Sequence, residues 1–438
     1  MPRDRSQGAD STRLLFCLLI AGVAAIPAAA RESIQIKHFP QDAVVLDAGT
    51  GTPLEELEVE GTWRSYRLRP GTRILRFEAE GYEPLERPLP PQAWASGLEV
   101  KLERAAGGLE QIGEYATGGS PKSVAFDADG NHLIVPLMNG TGADVFSADD
   151  GELLFRLSPG EPAASEMGFV EALVLADRRE VWISQMPGAR VHGFSLDDWS
   201  YIGHVETGGS MPKVIAADHN ETTLYVSNWG TRNVSVIDVA DLSLRSLIPV
   251  GGVPRGLAFH PDGRHLYVAL FEGAARGSVE KIDTETGRVA RTMEFVPGGA
   301  ARHIVVDDES RTAYVSDMMY GKVYAFSVDT HEIVADSGRI GSNLNTIDLS
   351  PDGAFLYVSE RGRNNPVSYY RTGPVFGRVF ALDSDSLEIR DWEWGRNQPT
   401  GLAISPDGTR LAFTDFLDNN LQLYEVHELR LNGGTLLP

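Results

Sequence analysis

The sequence predicts an all-β protein in which a seven-bladed β-propeller follows a small β-sandwich domain. Three observations support this fold class. A ten-residue pattern recurs as HPDGRHLYVA (260–269), SPDGAFLYVS (350–359) and SPDGTRLAFT (405–414), and more weakly as DADGNHLIVP (127–136). Seven short apolar segments have the pattern of a second strand in a repeated unit. Each is preceded by another short apolar segment, the first strand of that unit. The starts of these first segments lie 42 to 55 residues apart, which is the period of a four-stranded propeller blade.

Residues 1–30 have the pattern of an export signal. Arg3, Arg5 and Arg13 precede the apolar run LLFCLLIAGVAAIPA, and small residues end the segment. We therefore expect an exported protein that is periplasmic, displayed on the cell surface or secreted, with no membrane span after cleavage. An uncleaved anchor is the alternative. The single cysteine, Cys17, lies in this segment, so the mature chain would contain no disulfide and no thiolate site.

Residues 31–104 form the predicted first domain. Short segments rich in β-forming residues, such as SIQIKHF and RILRFEAEGY, are divided there by glycine and proline. No segment repeats the later pattern. This composition predicts a small β-sandwich that is separate from the propeller.

Residues 109–430 form the predicted propeller. In each blade the SPDG-type turn joins strand one to strand two, because proline presets φ at its second position and glycine adopts the conformation that a side chain disfavours. The seventh unit has three clear strands, whereas the strand at 109–119 precedes the first unit and resembles a fourth strand. We expect it to complete the last blade and close the ring, which removes an open sheet edge.

The repeats also resemble known families. Segments such as LYVSN (224–228) and VSVID (234–238) are similar to the YVTN-type β-propeller repeat, over about residues 110–430. The stretch at 68–89 resembles the PEGA domain, although the motif that names that family is missing. The first resemblance implies the propeller fold, and the second implies a surface or adhesion-type module without known chemistry.

The predicted site lies at one mouth of the central channel. The loops from strand four to the next strand one, and from strand two to strand three, share one face and vary in sequence, as functional loops do on a rigid scaffold. Each first strand starts at that mouth, and like charges placed there repel one another unless something offsets them. A bound carboxylate or phosphate group would do so. The predicted ligand-binding residues are Lys122, Glu171, Lys213, Trp229, Arg255, Arg302, His303, Asn345 and Arg361.

A simpler alternative needs no ligand. The cations would then reach water or pair with neighbouring carboxylates such as Asp317, Glu360 and Asp415. Trp229 and Arg361 would then belong to ordinary loop packing. Both interpretations follow from the same sequence pattern.

The function that this pattern favours is a non-catalytic, exported binding or scaffold protein. It would engage a protein or a small anionic ligand on the mouth face, and we expect a monomer. No recognisable nucleophile motif, phosphate-binding glycine loop or zinc spacing is present. We therefore predict no catalytic residue, no metal ion and no cofactor.

Two alternatives remain open. A propeller enzyme, either a lactonase-like hydrolase or a quinoprotein-like oxidoreductase, would use Glu171 and Asn345, with Asp317 or Asp415, around a metal or cofactor. The cations oppose this because they raise the cost of binding a metal ion. Nucleic-acid binding through the same cations is the second alternative. The formal charge of −22 (−23 without residues 1–30) disfavours it.

Overall fold

The structure, a computed structural model, describes residues 33–39, 41–60, 62–90, 93, 97–102, 107–159, 166–271, 276–297 and 299–427. The predicted signal segment at 1–30 lies outside these ranges. The described residues form strands and their connections, so the predicted all-β class, with a propeller after a β-sandwich, is confirmed. No helix within these ranges has the length and apolar character needed to cross a membrane.

The first domain contains two four-stranded sheets that pack face to face. Alternate residues such as Ile36, Val45 and Phe77 point between the sheets and are buried, as the period of two in a strand requires. The first sheet has the order β4-β5-β1-β8 and the second β3-β2-β6-β7. The strands are β1 (Ser33–Phe39), β2 (Val44–Asp47), β3 (Thr52–Pro53), β4 (Glu55–Glu60), β5 (Trp63–Arg67), β6 (Ile74–Glu78), β7 (Leu85–Pro88) and β8 (Leu98–Lys101).

Seven further four-stranded antiparallel sheets form the blades. Blade 1 contains β10 (Ala125–Phe126), β11 (His132–Pro136), β12 (Ala143–Ser147) and β13 (Leu153–Leu157). Blade 2 contains β14 (Phe169–Leu175), β15 (Glu180–Gln185), β16 (Arg190–Ser195) and β17 (Tyr201–Glu206). Blade 3 contains β18 (Pro212–Ala217), β19 (Thr223–Asn228), β20 (Asn233–Asp238) and β21 (Ser243–Pro249). Blade 4 contains β22 (Pro254–Phe259), β23 (His265–Phe271), β24 (Arg276–Asp283) and β25 (Arg288–Pro297). Blade 5 contains β26 (Ala301–Asp307), β27 (Thr312–Asp317), β28 (Lys322–Ser327) and β29 (Ile333–Asp336). Blade 6 contains β30 (Leu344–Leu349), β31 (Phe355–Glu360), β32 (Arg378–Asp383) and β33 (Ile389–Trp394). Blade 7 contains β34 (Pro399–Ile404), β35 (Arg410–Asp415), β36 (Asn420–Val426) and β9 (Leu109–Ala116).

The last blade joins the two ends of the propeller sequence. Strand β9 pairs antiparallel with β36, from Ala116 opposite Asn420 to Leu109 opposite Val426. This gives blade 7 its fourth strand. The ring therefore closes through backbone hydrogen bonds between segments about three hundred residues apart.

The first strand of blade 1 is shorter than the sequence pattern indicates. The prediction was a strand at 122–126, but only Ala125–Phe126 pairs regularly with β11. Pro121 forms an isolated bridge with Leu137, and Lys122 N donates to Pro136 O across 3.0 Å. The residues between these points leave the ladder, so Lys122 lies in an extended connection rather than in a strand.

The SPDG turns build the face opposite the mouth, which we call the turn face. Asp352 and Asp407 each accept a hydrogen bond from the backbone amide two residues later, at 3.1 and 3.0 Å. Gly353 and Gly408 follow with φ of 70° and 75°, the left-handed region that glycine adopts without strain. These turns connect strand one to strand two of blades 6 and 7, as predicted.

The first domain contacts the propeller on the mouth face of blades 6 and 7. Gln41 Oε1 accepts a hydrogen bond from Phe376 N at 2.9 Å, and Phe376 belongs to the long β31–β32 loop. Lys37 Nζ lies 3.4 Å from an Asp418 carboxylate oxygen. The sandwich therefore lies on the same face as the starts of the first strands.

Candidate functional site

The starts of the first strands surround a small cavity on the propeller axis. In blades 3, 4, 6 and 7 the pairing of strand one with strand two is interrupted by a bulge near its first residues. A bulge redirects side chains, and here it turns the second residue of the strand toward the axis. The cavity, of about 20 Å³, is lined by Lys122, Val170, Glu171, Lys213, Val214, Arg255, Arg302, His303, Asn345, Thr346 and Thr400.

The structure thus brings together seven of the nine predicted site residues in one lining. The other two lie beside it. Trp229 covers Arg255, whose guanidinium carbon is 4.9 Å from the centre of the indole ring. Arg361 lies close enough to Lys122 to affect its titration. We call Lys122, Lys213, Arg255, Arg302 and Arg361 the cationic cluster.

Hydroxyl groups of the preceding blade fix the backbone beneath these side chains. The serine of the LYVSN-type strand two donates to the carbonyl of the next blade's mouth residue, and this contact repeats around the ring. The pairs are Ser184 with Lys213 (2.7 Å), Ser227 with Arg255 (2.9 Å) and Ser316 with Asn345 (2.7 Å). The recurrent serine therefore has a positioning role that its place in the repeat alone did not reveal.

Aromatic and sulfur-containing side chains cover several of the cations on the mouth side. Lys122 Nζ lies 4.3 Å from the centre of the Phe416 ring, and the Arg361 guanidinium carbon lies 5.3 Å from the centre of Tyr369. Rings attract cations through their negative faces, so these contacts stabilise charges that are removed from water. Lys213 Nζ is 2.5 Å from the sulfur of Met186.

Two arginines of the cluster have hydrogen bonds to neutral amides. Arg302 Nε donates to Asn345 Oδ1 at 2.5 Å, and Asn345 Nδ2 donates to Thr400 O at 3.0 Å. Arg361 donates to Gln398 Oε1. Amides hold the guanidinium groups in place without neutralising their charge.

The neighbouring carboxylates are engaged elsewhere. Asp317 accepts from Tyr320 N at 2.8 Å, Glu360 pairs with Arg378 at 2.7 Å, and Asp415 accepts from Gln422 Nε2 at 2.6 Å. The pairing of the mouth cations with these three carboxylates, which the sequence left open, is not what the structure shows. Over the described ranges, no member of the cationic cluster forms a salt bridge.

Arg255 is a buried member of the cationic cluster with an unsatisfied donor. Only 7% of its surface is exposed, and its Nε has no hydrogen-bond partner in the described structure. Burial lowers the pKa of Arg255 to about 9. The charge of Glu171 opposes this shift, but burial outweighs it, so the removal of this cation from water carries a net cost.

Burial also shifts the pKa values of other titratable groups around the cavity. Burial, reinforced by Arg361, lowers the pKa of Lys122 well below its usual range, and burial and Arg255 do the same for Lys213. Burial raises the pKa of Glu171 to about 7, although the nearby cations oppose this shift. Burial, with Arg255, lowers the pKa of His303 to about 4. A bound anion would relieve the repulsion among the cations.

A metal centre does not fit these residues. The described residues contain no group of three or more His, Cys, Asp or Glu side chains that could hold an ion. The amide of Asn345 already binds Arg302 and Thr400, and Asp317 and Asp415 bind other groups. The single carboxylate of Glu171 faces several cations instead.

Three contributing residues, Met186, Phe416 and Tyr369, lay outside the predicted site. Met186, Trp229, Arg361 and Phe416 occupy equivalent positions, directly after the second strand of blades 2, 3, 6 and 7. Alignment of the repeats at that position would have identified Met186 and Phe416 from the sequence. Tyr369 lies in the long β31–β32 loop, where no repeat provides a guide.

Fold and site together define a seven-bladed β-propeller with cations at one end of its channel that form no salt bridge within the described ranges. The family model described as "Lactonase, 7-bladed beta-propeller" matches residues 207–299 and 273–431. The chain belongs to this family. The resemblances to the YVTN-type repeat and to the PEGA domain remain predictions.

Individual relatives span a range of similarity. Antigen Lp49 of Leptospira interrogans is 37% identical over 322 residues, which cover 72% of this chain and 69% of that protein. A 6-phosphogluconolactonase of Erwinia tasmaniensis is 24% identical over 205 residues, or 41% of this chain and 61% of that protein. Kuenenia stuttgartiensis hydrazine synthase is similar in structure, with a TM-score of 0.59, 18% identity, and coverage of 70% of this chain and 96% of that chain. This last likeness shows the fold alone.

Proposed function

We propose that the cationic cluster binds the anionic group of a small ligand. The observation that carries the proposal is Arg255, whose guanidinium is buried and lacks a salt bridge among the described residues. Lys122 and Lys213 approach the same cavity, and repulsion from neighbouring cations contributes to the lowered pKa of each. A carboxylate or phosphate group would satisfy several of these donors at once.

A thermal-shift and calorimetric comparison tests this proposal. Acetate, phosphate and gluconate are titrated into the wild-type protein and into Arg255→Met. Loss of one charge-assisted hydrogen bond costs about 1.5–3 kcal/mol, so we expect affinity to fall by about tenfold or more. Binding that is equal in the two proteins would contradict the proposal.

The matched control is Arg264→Met. Arg264 belongs to the same blade but lies on the turn face, where it pairs with Asp283 at 2.5 Å. This substitution removes the same charge from the other end of the blade. We expect it to leave anion affinity unchanged, which separates a local effect from a change in net charge.

The second candidate is hydrolysis of a lactone at the same cluster. The family and the 6-phosphogluconolactonase relatives favour an enzyme over a non-catalytic scaffold. The specific observation is Glu171, a carboxylate with a pKa of about 7 beside the cations. A general base with a pKa near the working pH is well suited to activate water.

In such a reaction Glu171 would accept a proton from water as the water oxygen bonds to the lactone carbonyl carbon. Arg255 and Lys213 would stabilise the oxyanion that forms. The ring C–O bond would then break, and the ring oxygen would take the proton from Glu171. The product would be a hydroxy acid, which loses its carboxylic proton to water and becomes a hydroxy-carboxylate, an anion suited to the cluster.

Hydrolysis of gluconolactone and of 6-phosphogluconolactone distinguishes the enzyme from the binding protein. If the protein is a lactone hydrolase with Glu171 as its general base, Glu171→Gln lowers kcat by about a hundredfold or more. Glu285→Gln, an exposed carboxylate on the turn face, serves as the control. No hydrolysis of either lactone by the wild type would reject the catalytic role and leave anion binding in place.

Export and a monomeric state are also part of the proposal. The export signal lies in residues 1–30, outside the described ranges, so cell fractionation of the full chain is the test. Nucleic-acid binding remains the weakest candidate, because the channel end accommodates a small group and the net charge is −22.

A further inference from the structure

Three side chains on the mouth face of blades 6 and 7 cover part of the cationic cluster. Tyr369 lies over Arg361, whose guanidinium carbon is 5.3 Å from the centre of the ring, and Arg361 also donates to Gln398 Oε1. The Phe416 ring lies over Lys122, with Nζ 4.3 Å from its centre. We call Tyr369, Gln398 and Phe416 the cover. Arg361 is only 7% exposed, so the cover separates this cation from solvent on the mouth side.

The three members of the cover also contact one another. Gln398 Nε2 donates to the backbone oxygen of Tyr369 at 2.6 Å. The rings of Tyr369 and Phe416 are stacked, with their centres 6.0 Å apart and an angle of 9° between their planes. A displacement of one member therefore disturbs the other two.

Each member of the cover belongs to a different connection between strands. These are the β31–β32 loop (361–377), the β33–β34 connection (395–398) and the β35–β36 connection (416–419). The first domain contacts all three connections, each through a different side chain. The contacts join Gln41 Oε1 to Phe376 N (2.9 Å), Lys37 Nζ to Asp418 Oδ1 (3.4 Å) and a Glu99 carboxylate oxygen to Arg396 Nη1. We call Lys37, Gln41 and Glu99 the latch.

The latch is polar, and an interface of this kind can separate while both domains stay folded. Two of its contacts are ion pairs and the third is a hydrogen bond. Interfaces between domains of one chain are usually polar enough to permit relative motion. The Glu99 side chain is 38% exposed, so water and salt compete with its ion pair. Separation at the latch would release the three connections that carry the cover.

With the cover in place, the site holds only a small group. The cavity of about 20 Å³ accommodates one or two water-sized groups, since a single water needs about 10–15 Å³. The carboxylate of acetate is close to this limit, whereas gluconate carries a chain of hydroxyl-bearing carbons behind its carboxylate. An anion of that size needs space beyond the cavity, and on the mouth side the cover occupies that space.

We propose that the first domain regulates access to the cationic cluster. While the latch is engaged, the cover closes the mouth over the cluster, and release of the latch opens the site to larger anions. This inference rests on the proposed anion binding and adds the regulation of that site.

Substitutions in the latch test the inference, and the chain offers a matched control. Glu99→Arg places another cation beside Lys37 and Arg396, and like charges at an interface disfavour docking. Gln41→Ala removes a second contact without a change of charge. The control is Glu55→Arg, which makes the same charge change in the same domain, where Glu55 is exposed and its ion pair lies within that domain.

Modification of arginine by phenylglyoxal, located by mass spectrometry, measures opening without any ligand. Arg361 should react slowly in the wild type, because the cover protects it. The rate should follow the open population, with a rise of about tenfold in Glu99→Arg, a smaller rise in Gln41→Ala and no change in Glu55→Arg. Arg264, exposed on the turn face, is the internal reference and should react equally in all of these proteins.

Titration with acetate and gluconate then connects opening to binding. Gluconate affinity should rise by about tenfold in Glu99→Arg, because more of the protein is open, whereas acetate affinity should change by less than about twofold. Tyr369→Ala removes one member of the cover and should raise gluconate affinity in the same way. Because the latch acts through the cover, adding Glu99→Arg to Tyr369→Ala should give little further gain.

These measurements distinguish failure of the inference from failure of the proposed function. If Arg361 reacts equally in the wild type and in both latch variants, the first domain does not hold the cover, and the inference is overturned while anion binding stands. If Arg361 becomes reactive but gluconate affinity does not rise, the cover does not limit access, and the inference also fails. If neither acetate nor gluconate binds to any of the proteins, the proposed function is overturned and the inference falls with it.

Discussion

At the turn face, charged side chains have partners within their own turn, whereas at the mouth the cationic cluster forms no salt bridge among the described residues and has only Glu171 as a neighbouring carboxylate. Asp407 accepts hydrogen bonds from Thr409 N and from the Ser405 hydroxyl, at 3.0 and 2.6 Å. Arg255, in contrast, is buried beneath Trp229 with an unpartnered Nε. The first arrangement stabilises a turn, and the second reduces stability. The comparison shows that the charges of the turn face support the local fold, whereas burial of the mouth cations carries a cost in stability, which is the feature that the proposed anion binding would explain.

The largest expected effect is steric and compares glycines at the two ends of blade 7. A Cβ at Gly401, near the mouth, would lie 2.5 Å from Ser123 Cα in blade 1, whereas one at Gly408, in the turn, would lie 3.4 Å from Pro351 Cδ. Gly401→Ala should lower the free energy of unfolding by about 3 kcal/mol, because backbone atoms cannot move aside. Gly408→Ala should cost about 1 kcal/mol from its left-handed conformation. Urea unfolding measures both, and equal losses would show that the mouth is not packed as described.

The second effect reverses the usual sign of a core substitution. Arg255→Met removes a buried cation and retains apolar volume, so we expect the free energy of unfolding to rise by about 1–2 kcal/mol. Arg264→Met on the turn face removes an exposed pair and should change stability by less than about 1 kcal/mol. A large loss of stability in Arg255→Met would mean that this side chain supports the fold.

The third effect depends on pH. Glu171 has a pKa raised to about 7, so its ionised form is disfavoured in the folded protein. Its contribution to stability is present below its unfolded pKa of 4.5 and is lost as the pH rises through about 7. Anion affinity should also increase by up to about tenfold as the pH falls through this range, because one negative charge leaves the site.

The Glu171→Gln variant checks this assignment. Its anion affinity should change much less between about pH 6 and pH 8 than that of the wild type. Isothermal titration at several pH values is the measurement. If the pH dependence is the same in both proteins, another group of the mouth is responsible, with Lys122 the first to examine because burial lowers its pKa well below the usual range.

The smallest effect concerns the turn face. Hydrogen bonds from Ser405 and Thr409 lower the pKa of Asp407, so its stabilisation is present above its unfolded pKa of 3.8 and is lost as the pH falls through the lower folded value. Asp407→Ala should lower the free energy of unfolding by about 0.5–1 kcal/mol near neutral pH. Anion affinity should not change. A change in affinity would show that the two ends of the channel are coupled.

Much of the architecture was accessible from the sequence. The spacing of strand starts predicted seven blades, and the position of Lys122, Glu171, Lys213, Arg255, Arg302 and Asn345 at those starts predicted that they would meet. Repeated units place equivalent residues at equivalent positions around the axis, so residues that are regularly spaced in the sequence form a ring in the structure. The first strand of blade 1 was predicted too long, because Pro121 and the residues after it leave the ladder.

Other features depended on contacts that no local pattern encodes. The position of Phe416 over Lys122, and of Tyr369 over Arg361, joins residues from different loops. The partner of Glu360 also depended on the fold. The sequence allowed an ion pair with a mouth cation, but in the structure Glu360 pairs with Arg378. Electrostatic partners depend on distances of a few ångströms, and these arise only when the blades pack.

The sequence by itself determined the number of blades and which residues start each first strand, because strand periodicity and turn chemistry are local properties. Only the tertiary structure decided that the mouth cations form no salt bridge among the described residues, and which rings and amides cover them. Both depend on which side chains of different blades meet at the axis. That arrangement exists only in the closed ring.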